Sequence, residues 1–378
     1  MTKHSEPEAI DMHIAFVVNN YPPKAGGVEF HVAALAGALV NAGVKVTVFA
    51  LENSGKEATE SGVHVVRLHC TRMIGNVLAF PLPGTRRIIQ QRIKDLNVDA
   101  ISVHTRFFPM TYIGVRIARA LQIPAILTEH GSDHVRGVSP IIGAASKLVD
   151  FTVGRYVLRN SARVLAISES AQSFVWRLAS VRSEVFRNAI DVNRFVEKDS
   201  VPNAVAKIVF LGRLVPGKGW QRVLEVAETL SQEGLAFEVH FIGDGPDRPA
   251  LDRASNASLL AERITVHGRL TIEEIAIHLQ NAILLNPTDL AEGFQTTLLE
   301  AIACQASIVS TPVAAAEYLR DLGAQIDIVA SEDSAGWIER TRELLQNISY
   351  QARPELLSEF DWSVRGQEYV EILNMAKK

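Results

Sequence analysis

Two carboxylates separated by seven residues, Glu292 and Glu300, stand in the segment LLNPTDLAEGFQTTLLEAIACQASIVSTPV, where an apolar strand gives way to a helix. Nucleotide-linked ligands bind at such strand ends, and Gly293 beside Glu292 lets backbone come close to one. Phe294, Leu298, Ala301 and Ile302 recur at helical spacing, which predicts a helix from Phe294 with Glu300 about two turns inside. One acid then guards the entry and the other looks out along the helix. A plainer account fits the same acids: one favours the positive end of the helix dipole and the other lies on a solvated face.

Cations stand at a second strand end. In FLGRLVPGKGW, residues 210–220, Arg213 and Lys218 share one loop. A guanidinium can grip two phosphate oxygens while an ammonium adds a point charge, so the pair could neutralise a diphosphate; the alternative is an ordinary solvated loop. Gly26 and Gly27, before a helix starting near Val28, offer free backbone N–H groups and room for a phosphate, or simply a tight turn. The G-x-G-x-x-G of dinucleotide dehydrogenases is not present in NNYPPKAGGVE. Residues 242–245, IGDG, form another glycine-flanked strand end. His130, followed by Gly131 in LTEHGSDHV, falls at a strand end of the first half, where it could touch a sugar or phosphate or merely satisfy its neighbours.

These residues need a scaffold of strands and helices in alternation. IAFVV at 14–18, the helix from Val28 and VKVTVFA at 44–50 make a βαβ unit. Strand-like runs follow at 63–68, 100–103, 123–127 and 164–167. After a polar, proline-bearing stretch at 188–203, the alternation restarts with KIVFLG, FEVHFIGDG, ITVHG, AILLNP and SIVSTPV. The expected fold class is α/β, with two Rossmann-like doubly wound domains facing across a cleft. The expected limits are a first domain over 1–190, a second over 204–360, and a C-terminal helix over 361–378 that could cross back to the first domain. No repeat period or low-complexity tract is present.

Composition narrows the function classes. With 378 residues and 47% hydrophobic content, the chain can bury two α/β cores. A formal charge of −4 gives no overall pull toward nucleic acid. Cys70 and Cys304, far apart and without metal-ligand partners nearby in sequence, suggest neither a disulfide framework nor a zinc site, and suit a reducing cytosol. No stretch reaches the roughly twenty apolar residues of a spanning helix, so the expectation is a soluble or membrane-peripheral protein.

The ordered set GGVEFH, TEHG, FRNAIDVNRF, GRLVPGKG, IGDGP, VHGRL and EGFQTTLLE resembles the retaining nucleotide-sugar glycosyltransferases of family 4, which have the GT-B fold; the likeness runs from about Ile14 to Val370. The resemblance implies roles. Gly26 and Gly27 would lie near the donor phosphates, and Arg213 and Lys218 would bind the diphosphate leaving group. Glu292 would touch the donor sugar, backbone at Phe294, Gln295 and Thr296 would hold sugar and phosphate, and Glu300 would bind the ribose hydroxyls. His130 would contact the sugar beside the anomeric centre, and the strand end at Gly268 and Arg269 would abut the base. Glu292, His130, Arg213 and Lys218 are thus the expected catalytic set. Departures from the pattern include Gln295, where a small residue is frequent.

The resemblance further implies that 1–190 binds the acceptor and 204–360 the nucleotide-sugar donor, in a metal-independent hexosyl transfer from GDP-mannose or a UDP-hexose to a lipid-linked or soluble glycoside. No cofactor or metal is expected, and no protein nucleophile is assigned. A non-hydrolysing UDP-sugar epimerase of the same fold and a non-catalytic nucleotide-sugar binder are the alternatives. Acceptors in this fold bind the first domain. There, residues 68–94 mix Met73, Ile74, Val77, Leu78 and Phe80 with Arg72, Arg86, Arg87, Arg92 and Lys94. That mixture suits an anionic membrane surface, at the inner face of a membrane or in the cytoplasm beside it, and equally a core-packed loop and helix with solvated arginines.

Overall fold

The computed structural model describes residues 11–24, 26–73, 78–134, 140–195, 205–290, 293–347 and 354–377. The chain divides into two compact units, Met1–Asn188 with Trp362–Lys378, and Ala189–Asp361.

The first unit is built on eight strands: β1 (His13–Val18), β2 (Lys45–Leu51), β3 (Glu57–Glu60), β4 (Val63–Leu68), β5 (Ala100–His104), β6 (Ala125–Glu129), β7 (Arg163–Ala166) and β8 (Glu184–Val185), in the order β3-β4-β2-β1-β5-β6-β7-β8. All neighbours are parallel except β3 against β4. Side chains alternate between two cores, as the two-residue period of a strand requires. Ala15 and Val17 join Ile101 and Val103 on one face, while Ile14, Phe16 and Val18 join Val46 and Val48 on the other. The helix Gly27–Asn41 covers the second face through Val32, Leu35 and Leu39, together with Tyr369 and Leu373 of the terminal helix Trp362–Ala376. A Cβ on Gly366 would stand 2.9 Å from the Cβ of Ala38, so glycine is what lets these two helices touch. The strands β3 and β8 have no counterpart among the sequence expectations. EATE carries no apolar alternation, and β8 has two residues.

The second unit has six parallel strands: β9 (Ala206–Leu211), β10 (Phe237–Ile242), β11 (Ile264–Gly268), β12 (Ile283–Asn286), β13 (Ser307–Ser310) and β14 (Ile326–Ile328), ordered β11-β10-β9-β12-β13-β14. Ile208, Phe210, Ile283 and Leu285 pack on one face, and Val209, Leu284 and Ile308 on the other. Each sheet is a Rossmann-like doubly wound sheet with one point where the winding reverses, between β1 and β5 in the first and between β9 and β12 in the second. Crevices at the carboxyl ends of strands flanking such a point are where open α/β sheets hold ligands.

The chain leaves the first unit after Asn188 and returns to it at Trp362, and within the second unit the two passages pair, Ile190 N–H donating to the Phe360 carbonyl at 2.9 Å. The predicted helix from Phe294 begins instead at Thr296 and ends at Ala303, so Glu300 lies little more than one turn inside. Phe294 stays outside because its ring is buried in a stack with Phe360, 5.6 Å between centroids. Among the described residues no helix is long and apolar enough to cross a membrane.

Candidate functional site

At the reversal point of the second sheet, the loops after β9 and β12 are joined backbone to backbone. Asp289 N–H donates to the Gly217 carbonyl at 2.8 Å, and a Cβ on Gly219, whose φ is +80°, would collide with the Pro287 carbonyl oxygen. The loop after β10 locks into the same place: a Cβ on Gly243 would collide with the Gly212 carbonyl oxygen, and one on Gly245 with that of Leu214. Three strand ends are thus held by glycines that nothing larger can replace without moving backbone. Arg213 and Lys218 ride on this platform. Arg213 is exposed, whereas Lys218 is buried with its Nζ against Gly212, so its ammonium is held in place rather than being the mobile point charge that a loop lysine suggests.

On the β12 side, Gln295 is buried, and its side-chain carbonyl accepts from Asn286 Nδ2 at 2.9 Å. That bond gives the larger residue a place, and no side chain caps the helix Thr296–Ala303. The amides of its first turn therefore remain able to bind an anion. Glu300 is half-buried, and burial raises its pKa to about 7 against a lowering hydrogen bond from Thr296. A carboxyl poised there ionises readily when hydroxyl groups donate to it. Glu292 lies outside the described residues. Gly268 takes a left-handed φ of +77° at the end of β11, and Arg269 is exposed with Nε 4.0 Å from Asp244 Oδ2. Gly212–Lys218, Gln295–Glu300 and Gly268–Arg269 all follow carboxyl ends of strands in the second unit.

In the first unit, Gly26 is the N-cap of the helix Gly27–Asn41 with no side-chain cap, and a Cβ on Gly27 would meet nothing within 4 Å. The buried carboxylate of Glu29 folds back against Gly26. His130 does not stand alone. Its Nε2 is 3.2 Å from His104 Nδ1, and its ring meets that of His31 edge-on at 4.7 Å. His31 Nδ1 lies 2.9 Å from Asn188 Oδ1, leaving a buried Nε2 without a hydrogen bond. Burial lowers all three imidazoles, His31 to about 4 and the other two well below the ordinary value, so the trio is neutral at pH 7.

Below the trio, Arg106 organises the loop that carries His130. It is fully buried, forms a fork on Asp150 at 2.8 and 2.9 Å, and donates to Glu129 Oε1 at 2.8 Å. The same Glu129 oxygen accepts from Gly131 N–H at 2.8 Å, which fixes the residues on both sides of His130. Sequence reasoning named His130 but not His31, His104, Glu29 or Arg106. A histidine at the end of β5 is a legible signal of a ligand edge; His31, one turn into a helix, carries none without the fold.

Among the described residues, two groups of three histidines bring one nitrogen each within 4.8 Å and have donor atoms suited to a metal: His31, His104 and His130, and, in the second unit, His240, His267 and His278. The basic and apolar stretch of the first unit shows Phe80, Leu82 and Ile88 exposed beside Arg87, with Ile89 and Ile93 buried. Ile74 and Val77 lie outside the described residues.

A model of the family described as Glycosyltransferase Family 4 matches residues 25–194, and one described as Glycosyl transferases group 1 matches residues 205–347. A phosphatidylinositol N-acetylglucosaminyltransferase component from Homo sapiens is 24% identical over 308 residues, 80% of this chain, which spans 62% of that relative's length. An uncharacterised glycosyltransferase of Methanocaldococcus jannaschii is 24% identical over 382 residues, covering 93% of this chain and 95% of its own. Among solved structures, sucrose-phosphate synthase from Thermosynechococcus elongatus has a TM-score of 0.76 at 14% identity, covering 96% of this chain and 98% of its own. Anabaena HepE in complex with UDP has a TM-score of 0.75 at 16% identity, covering 96% of this chain and 100% of its own.

Proposed function

This chain belongs to glycosyltransferase family 4, with the GT-B fold of two Rossmann-like domains, and we propose that it moves a hexosyl or N-acetylhexosaminyl group from GDP-mannose or a UDP-sugar to a lipid-linked or soluble glycoside, retaining the anomeric configuration. The observation that carries this reading is the reversal point of the second sheet, where Arg213, Lys218 and the uncapped helix at Thr296 all follow the ends of β9 and β12.

Departure of a nucleoside diphosphate builds negative charge on its outer phosphate. Lys218, held in place away from bulk water, and Arg213 stabilise that charge more as it grows than in the bound donor, which is what lowers a barrier. Those two cations supply the charge that a metal would otherwise bring to the diphosphate. Positive charge develops meanwhile at the anomeric carbon, and the neutral imidazole of His130, the partly exposed member of the trio, can hydrogen-bond a sugar hydroxyl without opposing it, with His104 and His31 holding its ring. Glu129 and Asp150, the carboxylates nearest His130 in this network, are both held by Arg106. That engagement supports a mechanism in which the donor phosphate takes the acceptor proton and no protein carboxylate attacks the sugar. The names of the sequence relatives add N-acetylglucosamine to the sugars to be tried and phosphatidylinositol to the acceptors. The exposed Ile88 and Arg87 support an anionic membrane, at its inner face, as the place where a lipid acceptor is met.

The test is incubation with UDP-glucose, UDP-N-acetylglucosamine and GDP-mannose in EDTA, with and without phosphatidylinositol vesicles or an alkyl glycoside, read by NMR. Acceptor-dependent product with the donor's own anomeric configuration is expected. An inverted product would refute retention, and free epimer formed without acceptor would identify an epimerase.

A further inference from the structure

We propose that His240, His267 and His278 form a binding site for a zinc-type divalent transition-metal ion, with Glu238 orienting His240. None of these four belongs to the donor set described above. Glu238 and His240 are two residues apart on β10 and so share a face of the sheet. His240 pairs with Thr265 and Phe241 with Val266, but Ile242 pairs with Gly268, so His267 is an extra residue at a bulge in β11. The bulge brings His267 Nε2 to 3.0 Å from His240 Nδ1. His278, in the last turn of the helix Ile272–Leu279, closes the group with its ring 4.3 Å from that of His267 and 4.9 Å from that of His240.

One nitrogen from each ring lies within 4.8 Å of the others, and zinc–nitrogen bonds of about 2.0–2.1 Å in a tetrahedron set ligand nitrogens about 3.4 Å apart, so small ring rotations complete the site. The polar atoms are left as a metal would want them. His278 Nδ1 is buried and makes no hydrogen bond. His240 is 7% exposed, and its Nε2 stands 3.3 Å from Glu238 Oε2 without forming one. A carboxylate on the far nitrogen is the usual partner of a metal-bound imidazole, because it fixes the ring and its tautomer so that the other nitrogen offers its lone pair. With His240 Nε2 protonated toward Glu238, Nδ1 is the ligand atom; His267 moves its proton from Nε2 to Nδ1 on binding, with no net change in charge. Lys207 stands opposite Glu238 in the register of β9 and β10, Glu274 shares the helix with His278, and the nearby Arg248 is paired with Asp252. Three protein ligands leave a fourth position for water or an outside ligand. The metal would tie β10, β11 and the following helix together just before Gly268 and Arg269.

The test uses the full chain, stripped with chelator, dialysed and titrated with cobalt(II) followed by zinc. Expected are one cobalt per chain with the visible absorption of a tetrahedral site, its displacement by one equivalent of zinc, and a higher thermal midpoint with zinc. His267→Gln and His278→Gln should each abolish the cobalt bands while keeping the far-UV spectrum of the native chain. Glu238→Gln, at a half-exposed position that tolerates change, should weaken cobalt about 10–100-fold. Absence of tetrahedral bands in the native chain would overturn the proposal. So would bands that survive in His267→Gln and vanish in His31→Gln. UDP binding measured in EDTA reports the donor site separately, so failure of one reading leaves the other standing.

Discussion

Where the first sheet reverses, between β1 and β5, no cation stands in the site described: the groups are imidazoles lowered by burial, the carboxylate of Glu29, and a helix start where Gly27 opens onto empty space. Where the second sheet reverses, between β9 and β12, the groups are cations and amides set on loops so close that glycine is the one residue that fits. The topology is the same in both, so it decides where a ligand binds and leaves the chemistry to the side chains. One edge is made to hold charge without yielding. The other is made to hydrogen-bond without adding positive charge.

Glycine substitutions should separate the two most sharply. Gly243→Ala places a Cβ against the Gly212 carbonyl at a φ of +134° and should cost about 2–4 kcal/mol in urea unfolding, with nucleotide binding lost. Gly27→Ala, with nothing within 4 Å, should leave stability unchanged or raise it by up to about 1 kcal/mol, and weaken only donor binding. Equal destabilisation by both would erase the distinction.

Charge comes next. Lys218→Ala should weaken UDP by about 1.5–3 kcal/mol, roughly 10–100-fold, and much less for uridine. His130→Ala should leave UDP affinity unchanged and lower turnover with the sugar donor on the order of 100-fold. A loss of UDP affinity in the histidine variant would assign the phosphates to the wrong edge.

Glu300 gives a smaller effect with a defined sign. Burial lifts its pKa to about 7, so between its ordinary value and 7 the folded chain keeps a proton that the unfolded chain has released, and stability falls as pH rises across that window, by up to about 3 kcal/mol. Hydroxyl donors favour the ionised form, so nucleotide affinity should rise several-fold from pH 6 to 8 and proton release should accompany binding at pH 7. Glu300→Gln should flatten both profiles, and a pH profile identical to the parent's would remove Glu300 from the site. The smallest effect expected is in Ile88→Ser, which should bind anionic vesicles a few-fold less while leaving nucleotide affinity alone.

The central strands were legible because alternating or continuous apolar runs such as IAFVV and KIVFLG have no other stable use. Arg213, Lys218 and His130 were legible as residues at strand ends. What could not be read is what distant residues decide. The helix starts at Thr296 because Phe360, sixty-six residues on, stacks on Phe294. Lys218 is held because the loop that carries it, residues 212–219, is packed between the loops after β10 and β12. His31 and His104 join His130 across 99 and 26 residues of chain, a proximity that no local period encodes.

The most direct measurement is a calorimetric titration of the purified chain with UDP and with GDP in EDTA, repeated with Arg213→Ala. Binding of one nucleotide without metal, weakened at least tenfold in the variant, is the expected result. Failure of both nucleotides to bind, or equal binding in parent and variant, would contradict a metal-free diphosphate site at the β9–β12 reversal.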